Sequence, residues 1–177
     1  MFCRAFYVIK IILNIPLIYL GKYNRFFLKL ISIKPIDISL KVTENCNSRC
    51  ITCNIWRGNE KKEDLSIEEL ETIFYQLNEI KIKTIGMYGG EPLLRKDIGE
   101  VIKRAKKIIK GVKILVITNG LLLKIKAKEL KDSGVDIVCV SLDGIGETND
   151  KIRGIPGDYQ MAIEGIKELK KVDKERK

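Results

Sequence analysis

From Ile36 onward the chain alternates short β-branched runs with longer stretches whose apolar residues recur at helical spacing, and it does so four times. This rhythm is the signature of βα units, because parallel strands need a long, usually helical, crossover between them. Strands are predicted at Ile36 to Val42, Thr84 to Tyr88, Val112 to Thr118 and Val135 to Leu142. Ile36, Ile38, Leu40 and Val42 alternate with polar neighbours, as a half-covered first strand does. The last run is apolar enough to predict burial on both faces, which makes Cys139 a core residue.

The helices announce their starts. Ser66 and Glu69 form a capping box ahead of Ile67, Leu70, Ile73, Phe74, Leu77 and Ile80, which share one helical face. Asp97 and Glu100 repeat the arrangement before Ile98, Val101, Ile102 and Ala105, and Gly111 supplies the stop. Further helices are expected from about Leu121 to Asp132, ended by Gly134, and from about Asp158 to Val172. Composition shifts only near residue 33, so the chain divides into an apolar, basic helical arm over 1–33 and an α/β core over 34–177.

With 45% hydrophobic and 32% charged residues the chain has the makings of a folded protein with a charged surface. Its net charge of +10 suits an anionic partner such as tRNA or a membrane surface, or simply reflects solvated, Lys-rich faces. The absence of histidine excludes histidine acid/base catalysis, Cys/His nucleophile pairs and histidine metal sites. Five cysteines, three of them within eight residues, do not form a secreted disulfide framework and point to a reducing cytoplasm. Val8 to Leu20 is apolar, but Lys10, Asn14 and Pro16 interrupt it and it falls short of the ~20 residues of a membrane span. Flanked by Arg4, Lys10, Lys22, Arg25 and Lys29, the arm either lies on an anionic membrane surface or packs against the core or another subunit.

The chemistry-bearing residues cluster where strands end. Cys46, Cys50 and Cys53 make a CxxxCxxC segment directly after the first strand, and three soft thiolates on one short loop select iron–sulfur or zinc. A structural zinc or four-ligand cluster needs a fourth ligand, for which only Cys3 and Cys139 are at hand, so three ligands and an open iron fit better. Gly89, Gly90, Glu91 and Pro92 follow the second strand; two glycines there would let a ligand approach the backbone, and one carboxylate would accept from an ammonium. Thr118, Asn119 and Gly120 end the third strand, and Ser141, Asp143 and Gly144 the fourth. A parallel sheet gathers all four groups along one rim, where ligand sites of α/β folds form.

CxxxCxxC followed in order by GGEP, TNG and SLDG resembles the radical SAM superfamily, near its molybdenum-cofactor-synthesis and peptide-modifying (SPASM-type) branches, from about Ile36 to the C-terminus. The resemblance implies an α/β fold, the parallel (βα)4 portion of a partial TIM-type barrel. It also implies an enzyme: a [4Fe–4S] cluster on Cys46, Cys50 and Cys53, and S-adenosylmethionine on the open iron, cleaved to a 5′-deoxyadenosyl radical that abstracts hydrogen from an unknown substrate. Gly89, Gly90 and Glu91 would hold the methionyl ammonium. Asn119, Ser141 and Asp143 would line the ribose, carboxylate or substrate side. Arg153 would pair with the methionine carboxylate, its plainer role being that of an exposed loop arginine. Thr52 stands where the superfamily usually has an aromatic residue, so its backbone would keep the adenine contact without the stacking surface. Trp56 either shields the cluster or packs ordinarily.

An electron donor of flavodoxin or ferredoxin type is implied as well. The superfamily core has six βα units, so these four are expected to be a fragment, a split subunit or half of an oligomer. The alternative function is a truncated or partner-dependent cluster-binding module without independent catalysis; a third is a basic RNA-binding or membrane-surface protein with structural cysteines.

Overall fold

The computed structural model describes residues 35–57 and 63–174. β1 (Asp37–Thr43) runs into the cysteine segment and a 3-10 turn (Ile55–Arg57), followed by α1 (Ile67–Glu79). β2 (Thr84–Gly89), a second 3-10 turn (Pro92–Leu94) and α2 (Ile98–Ile108) make the next unit, and β3 (Lys113–Thr118) with α3 (Leu123–Ser133) the third. β4 (Ile137–Val140) is followed by α4 (Glu147–Arg153) and α5 (Asp158–Lys174). The strands lie side by side in sequence order, all parallel. Successive crossovers of one hand put the helices on one face of the sheet.

The register shows which face. Leu40, Met87, Val116 and Val138 form one cross-sheet row, and Ile38, Ile85 and Ile114 another. These rows meet Leu70 and Phe74 of α1, Ile98, Val101, Ile102 and Ala105 of α2, and Leu123 and Leu130 of α3 in a single core. Burying one such side chain stabilises the fold by about 1.5 to 3 kcal/mol.

The other pleat carries Ser39, Gly86, Leu115 and Ile137 in one row and pairs Ile117 with Cys139. It is open: Ile137 is 53% exposed and Ile117 37%. Two expectations are corrected here. β4 is shorter than Val135 to Leu142 and is covered on one face only, and Cys139 is exposed because its pleat points away from the helices.

The caps divide likewise. The Ser66 box forms as expected, with Glu69 N donating to Ser66 Oγ at 3.2 Å and Ser66 N to Glu69 Oε2 at 2.8 Å. Asp97 makes no side-chain cap; its carboxylate is taken by Arg95 instead, at 3.0 and 2.8 Å. The stretch around Arg153, to which the sequence pattern assigns no helix, is α4, a seven-residue helix closed by Gly154 in the left-handed conformation. The arm expected over 1–33, with Cys3, lies outside the described residues, among which no helix is long and apolar enough to cross a membrane.

Candidate functional site

At the C-terminal ends of the strands a cavity of about 310 Å³ opens among four loops. Cys46, Cys50 and Cys53 line it. So do Thr52, Gly89, Gly90 and Glu91 on one side and Asn119, Ser141, Asp143 and Arg153 on the other, which brings every site residue expected from the sequence to one place.

The cysteine loop is held from three directions. Cys50 O accepts from Cys53 N at 3.3 Å and from the indole Nε1 of Trp56 at 3.0 Å, so Trp56 braces the loop. Asn119 Nδ2 donates to Asn47 Oδ1 and to Ser48 Oγ, both at 2.8 Å, which joins the loop to the end of β3. Arg49 N and Ile51 N donate to Arg153 O at 3.0 Å and Ile152 O at 2.9 Å, a strand-like clasp onto the last turn of α4. That approach needs Gly154: a Cβ there would sit 2.4 Å from Arg49 O.

The GGEP segment works differently from the sequence expectation. A Cβ on Gly89 would lie 2.1 Å from Thr43 O, and one on Gly90 2.1 Å from Asn45 O, so both glycines make room for the cysteine loop's own backbone rather than for a ligand on that side. Gly90 N and Glu91 N then donate to those same two carbonyls, at 2.9 and 2.8 Å. The Glu91 side chain is fully buried. Its Oε1 accepts from Thr118 Oγ1 at 2.6 Å and Leu93 N at 3.0 Å, and its Oε2 from Asn119 N at 2.7 Å. Burial raises its pKa, opposed by these three donors. The carboxylate expected to be open to an ammonium is thus largely committed to tying β2 to β3.

On the far side, Arg153 Nε lies 2.8 Å from Asp143 Oδ2, at ion-pair distance but without hydrogen-bond alignment, and Arg153 Nη1 donates to Cys50 Sγ at 3.9 Å. Asp143 N donates to Oδ1 of Asn149, whose Nδ2 donates to Asp158 Oδ2 at 2.6 Å. Asn149 and Asp158 are both fully buried, and burial pushes the Asp158 carboxyl up. Sequence reading missed this pair, along with Ser48 and Thr118 as hub residues. A polar residue inside a helix gives no local sign of burial; the one available hint was Asn149 and Asp158 flanking the Arg153 segment.

The thiols suit a polynuclear centre. Cys46, Cys50 and Cys53 are all free, and burial pushes the Cys46 thiol up, so metal binding there must displace a proton. Exposed Cys139 does not line the cavity and offers no fourth thiolate. Three cysteines around a shared volume, with Arg153 donating to one sulfur, fit a cluster that takes one thiolate per iron and leaves one iron free.

Known proteins are similar to this chain in sequence and in fold. An Fe-coproporphyrin III synthase of Methanosarcina barkeri is 38% identical over 135 residues, 75% of this chain and 33% of the relative. A probable GTP 3′,8-cyclase of Sulfolobus acidocaldarius is 36% identical over 138 residues, 77% of this chain and 43% of the relative. The chain therefore spans about a third to under a half of the curated relatives it matches. In fold it superposes on Streptococcus suis SuiB bound to S-adenosylmethionine with a TM-score of 0.67 at 22% identity, covering 86% of this chain and 36% of SuiB. Residues 40–176 match the family model of the Radical SAM superfamily, and the chain belongs to that superfamily, whose enzymes use a [4Fe–4S] cluster and S-adenosylmethionine.

Proposed function

We propose that Cys46, Cys50 and Cys53 hold a [4Fe–4S] cluster and that the cavity beside them takes S-adenosylmethionine. The convergence of these cysteines and Thr52 with seven further residues from the ends of the other three strands and from α4 on one cavity carries this reading. When bound, the pair supplies one-electron cleavage of the sulfonium to methionine and a 5′-deoxyadenosyl radical, which abstracts hydrogen from a substrate. The chain's own residues bind and orient. Arg153 presents a guanidinium between Cys50 Sγ and the Asp143 carboxylate, placed to receive the methionine carboxylate. Asn119, fixed by Asn47 and Ser48, Thr52 through its backbone, and Ser141 at the mouth of β4 shape the nucleoside side. Gly89, Gly90 and Glu91 set the wall against which the methionyl ammonium lies.

Anaerobic reconstitution with iron and sulfide, followed by dithionite and S-adenosylmethionine, should yield 5′-deoxyadenosine, while Cys50→Ser should lose both the cluster absorbance and the product. A fully formed cluster without product would overturn the enzyme reading. The open pleat with Ile117 and Ile137 exposed favours a second reading, a cluster-binding module whose catalysis waits on further strands or a second copy. Product appearing only after a partner is added would select it. We place the protein in the reducing cytoplasm; co-sedimentation with anionic vesicles separates the two expectations for residues 1–33, contact with a membrane surface or packing against protein.

A further inference from the structure

We infer that the side of the cysteine loop turned away from the cavity, formed by Arg49, Ile51, Trp56 and Arg57, docks a small acidic one-electron carrier protein, and that electrons enter the site there. None of these four residues lines the cavity, although two of them lie between its cysteine ligands. The half-buried Trp56 ring has the Arg49 guanidinium 5.4 Å and the Arg57 guanidinium 5.1 Å from its centroid. Arg49 is further tied by Nη1 to Ser48 O at 3.1 Å and Cys46 O at 3.4 Å. Two cations so stacked are ordered before any partner arrives, which lowers the entropy cost of pairing them with carboxylates. Ile51, two residues along the loop from Arg49 and 67% exposed, adds an apolar group to this side of the loop. A chain of net charge +10 attracts an acidic partner over distance, and the arginine pair gives that attraction a landing point.

The surface is also wired to the site. Trp56 Nε1 donates to the carbonyl of Cys50, so a short hydrogen-bonded path links the ring to a residue whose Sγ is a cluster ligand in the reading above, on which this inference rests. One electron leaves the carrier, oxidising it by one, and reduces the bound cluster by one; no proton or atom is transferred.

The test is stopped-flow reduction of the reconstituted full chain, followed by cluster absorbance, with a flavodoxin in its hydroquinone form as the probe. Arg57→Glu should slow reduction by flavodoxin about tenfold at low salt and much less at high salt, as screening of a docking charge requires. Reduction by dithionite, which needs no docking, should be unchanged. Trp56→Phe keeps the stacked ring and loses the N–H path, and a twofold or larger slowing with flavodoxin alone supports the path. Lys128→Glu, on an exposed position of α3, removes the same net charge elsewhere and should have little effect. The inference is overturned if Arg57→Glu matches wild type with flavodoxin, if dithionite slows equally, or if Lys128→Glu slows flavodoxin as much. A chain that assembles no cluster overturns both this inference and the proposed function; an intact dithionite reaction with an indifferent Arg57→Glu overturns this inference alone.

Discussion

The two halves of the rim are built by different means. At β1 and β2 the loops are locked backbone to backbone: Gly89 and Gly90 lie under the cysteine segment, Glu91 is buried with three donors, and Arg95 gives Nη1 to Val42 O and Leu65 O. At β4 the functional groups are more exposed, Asp143 to 41% at its side chain, and Asp143 is positioned through one buried side-chain pair, Asn149 and Asp158. The first half is a fixed mould for the cysteine loop. The second is a single-file relay, which tolerates variation at the outer residues but not at the inner one.

The sharpest way to break this contrast is Glu91→Ala, which leaves the buried Thr118 hydroxyl and the amides of Leu93 and Asn119 without their acceptor and should cost about 3 to 4 kcal/mol by urea denaturation. A loss below about 1 kcal/mol would mean the hub is solvated and the mould loose. Gly90→Ala should cost about 2 to 3 kcal/mol, since a Cβ would meet the Asn45 carbonyl and backbone cannot give way cheaply. Asn149→Ala removes the acceptor of Asp143 N and the partner of Asp158, for about 1 to 3 kcal/mol, with faster amide exchange concentrated in α4 if the relay holds only the second half. Asp143→Asn should change stability by less than about 1 kcal/mol, because its ion pair is partly exposed, while weakening S-adenosylmethionine binding to the reconstituted protein through a misplaced Arg153.

Acid separates the ion-paired carboxyl from the buried ones by sign, in both halves. Arg95 holds the Asp97 carboxyl below the usual range, so that group's contribution is complete above the ordinary Asp value and is lost as pH falls through the depressed folded value. Burial raises Glu91 and Asp158, so their contributions are complete below the unfolded carboxylate range and are lost as pH rises through the raised folded values. Stability measured from neutral pH downward should therefore first rise and then fall, and Asp97→Asn should remove part of the fall without touching the rise.

Local pattern carried most of the fold. The four strands and four of the helices follow periods that burial on one face imposes, and the Ser66 box formed because both of its partners lie within one turn. The same logic failed at β4, where an apolar run signals burial without saying against how many layers, and a terminal strand has fewer neighbours than its composition suggests. It failed at α4 because seven residues are too few for a helical period to show. That these residues would meet at one cavity was legible because strand ends converge in any parallel sheet, but the contacts each of them makes there were not. Whether Glu91 faces a ligand or the tip of β3 depends on contacts 27 and 28 residues away, and the Asn149–Asp158 pair leaves no periodic pattern, only its place on either side of Arg153.

The clasp between the cysteine loop and α4 sets an order of events during synthesis. Arg153 reaches Cys50 across 103 residues of chain, and the loop's backbone bonds to Ile152 and Arg153. Contacts of such long sequence separation form late, after the loop-closure entropy between them has been met. The thiols leave the ribosome long before the helix that finishes their enclosure, so iron and sulfide delivered early meet an unclosed loop, and delivery timed to the emergence of α4 meets a finished one.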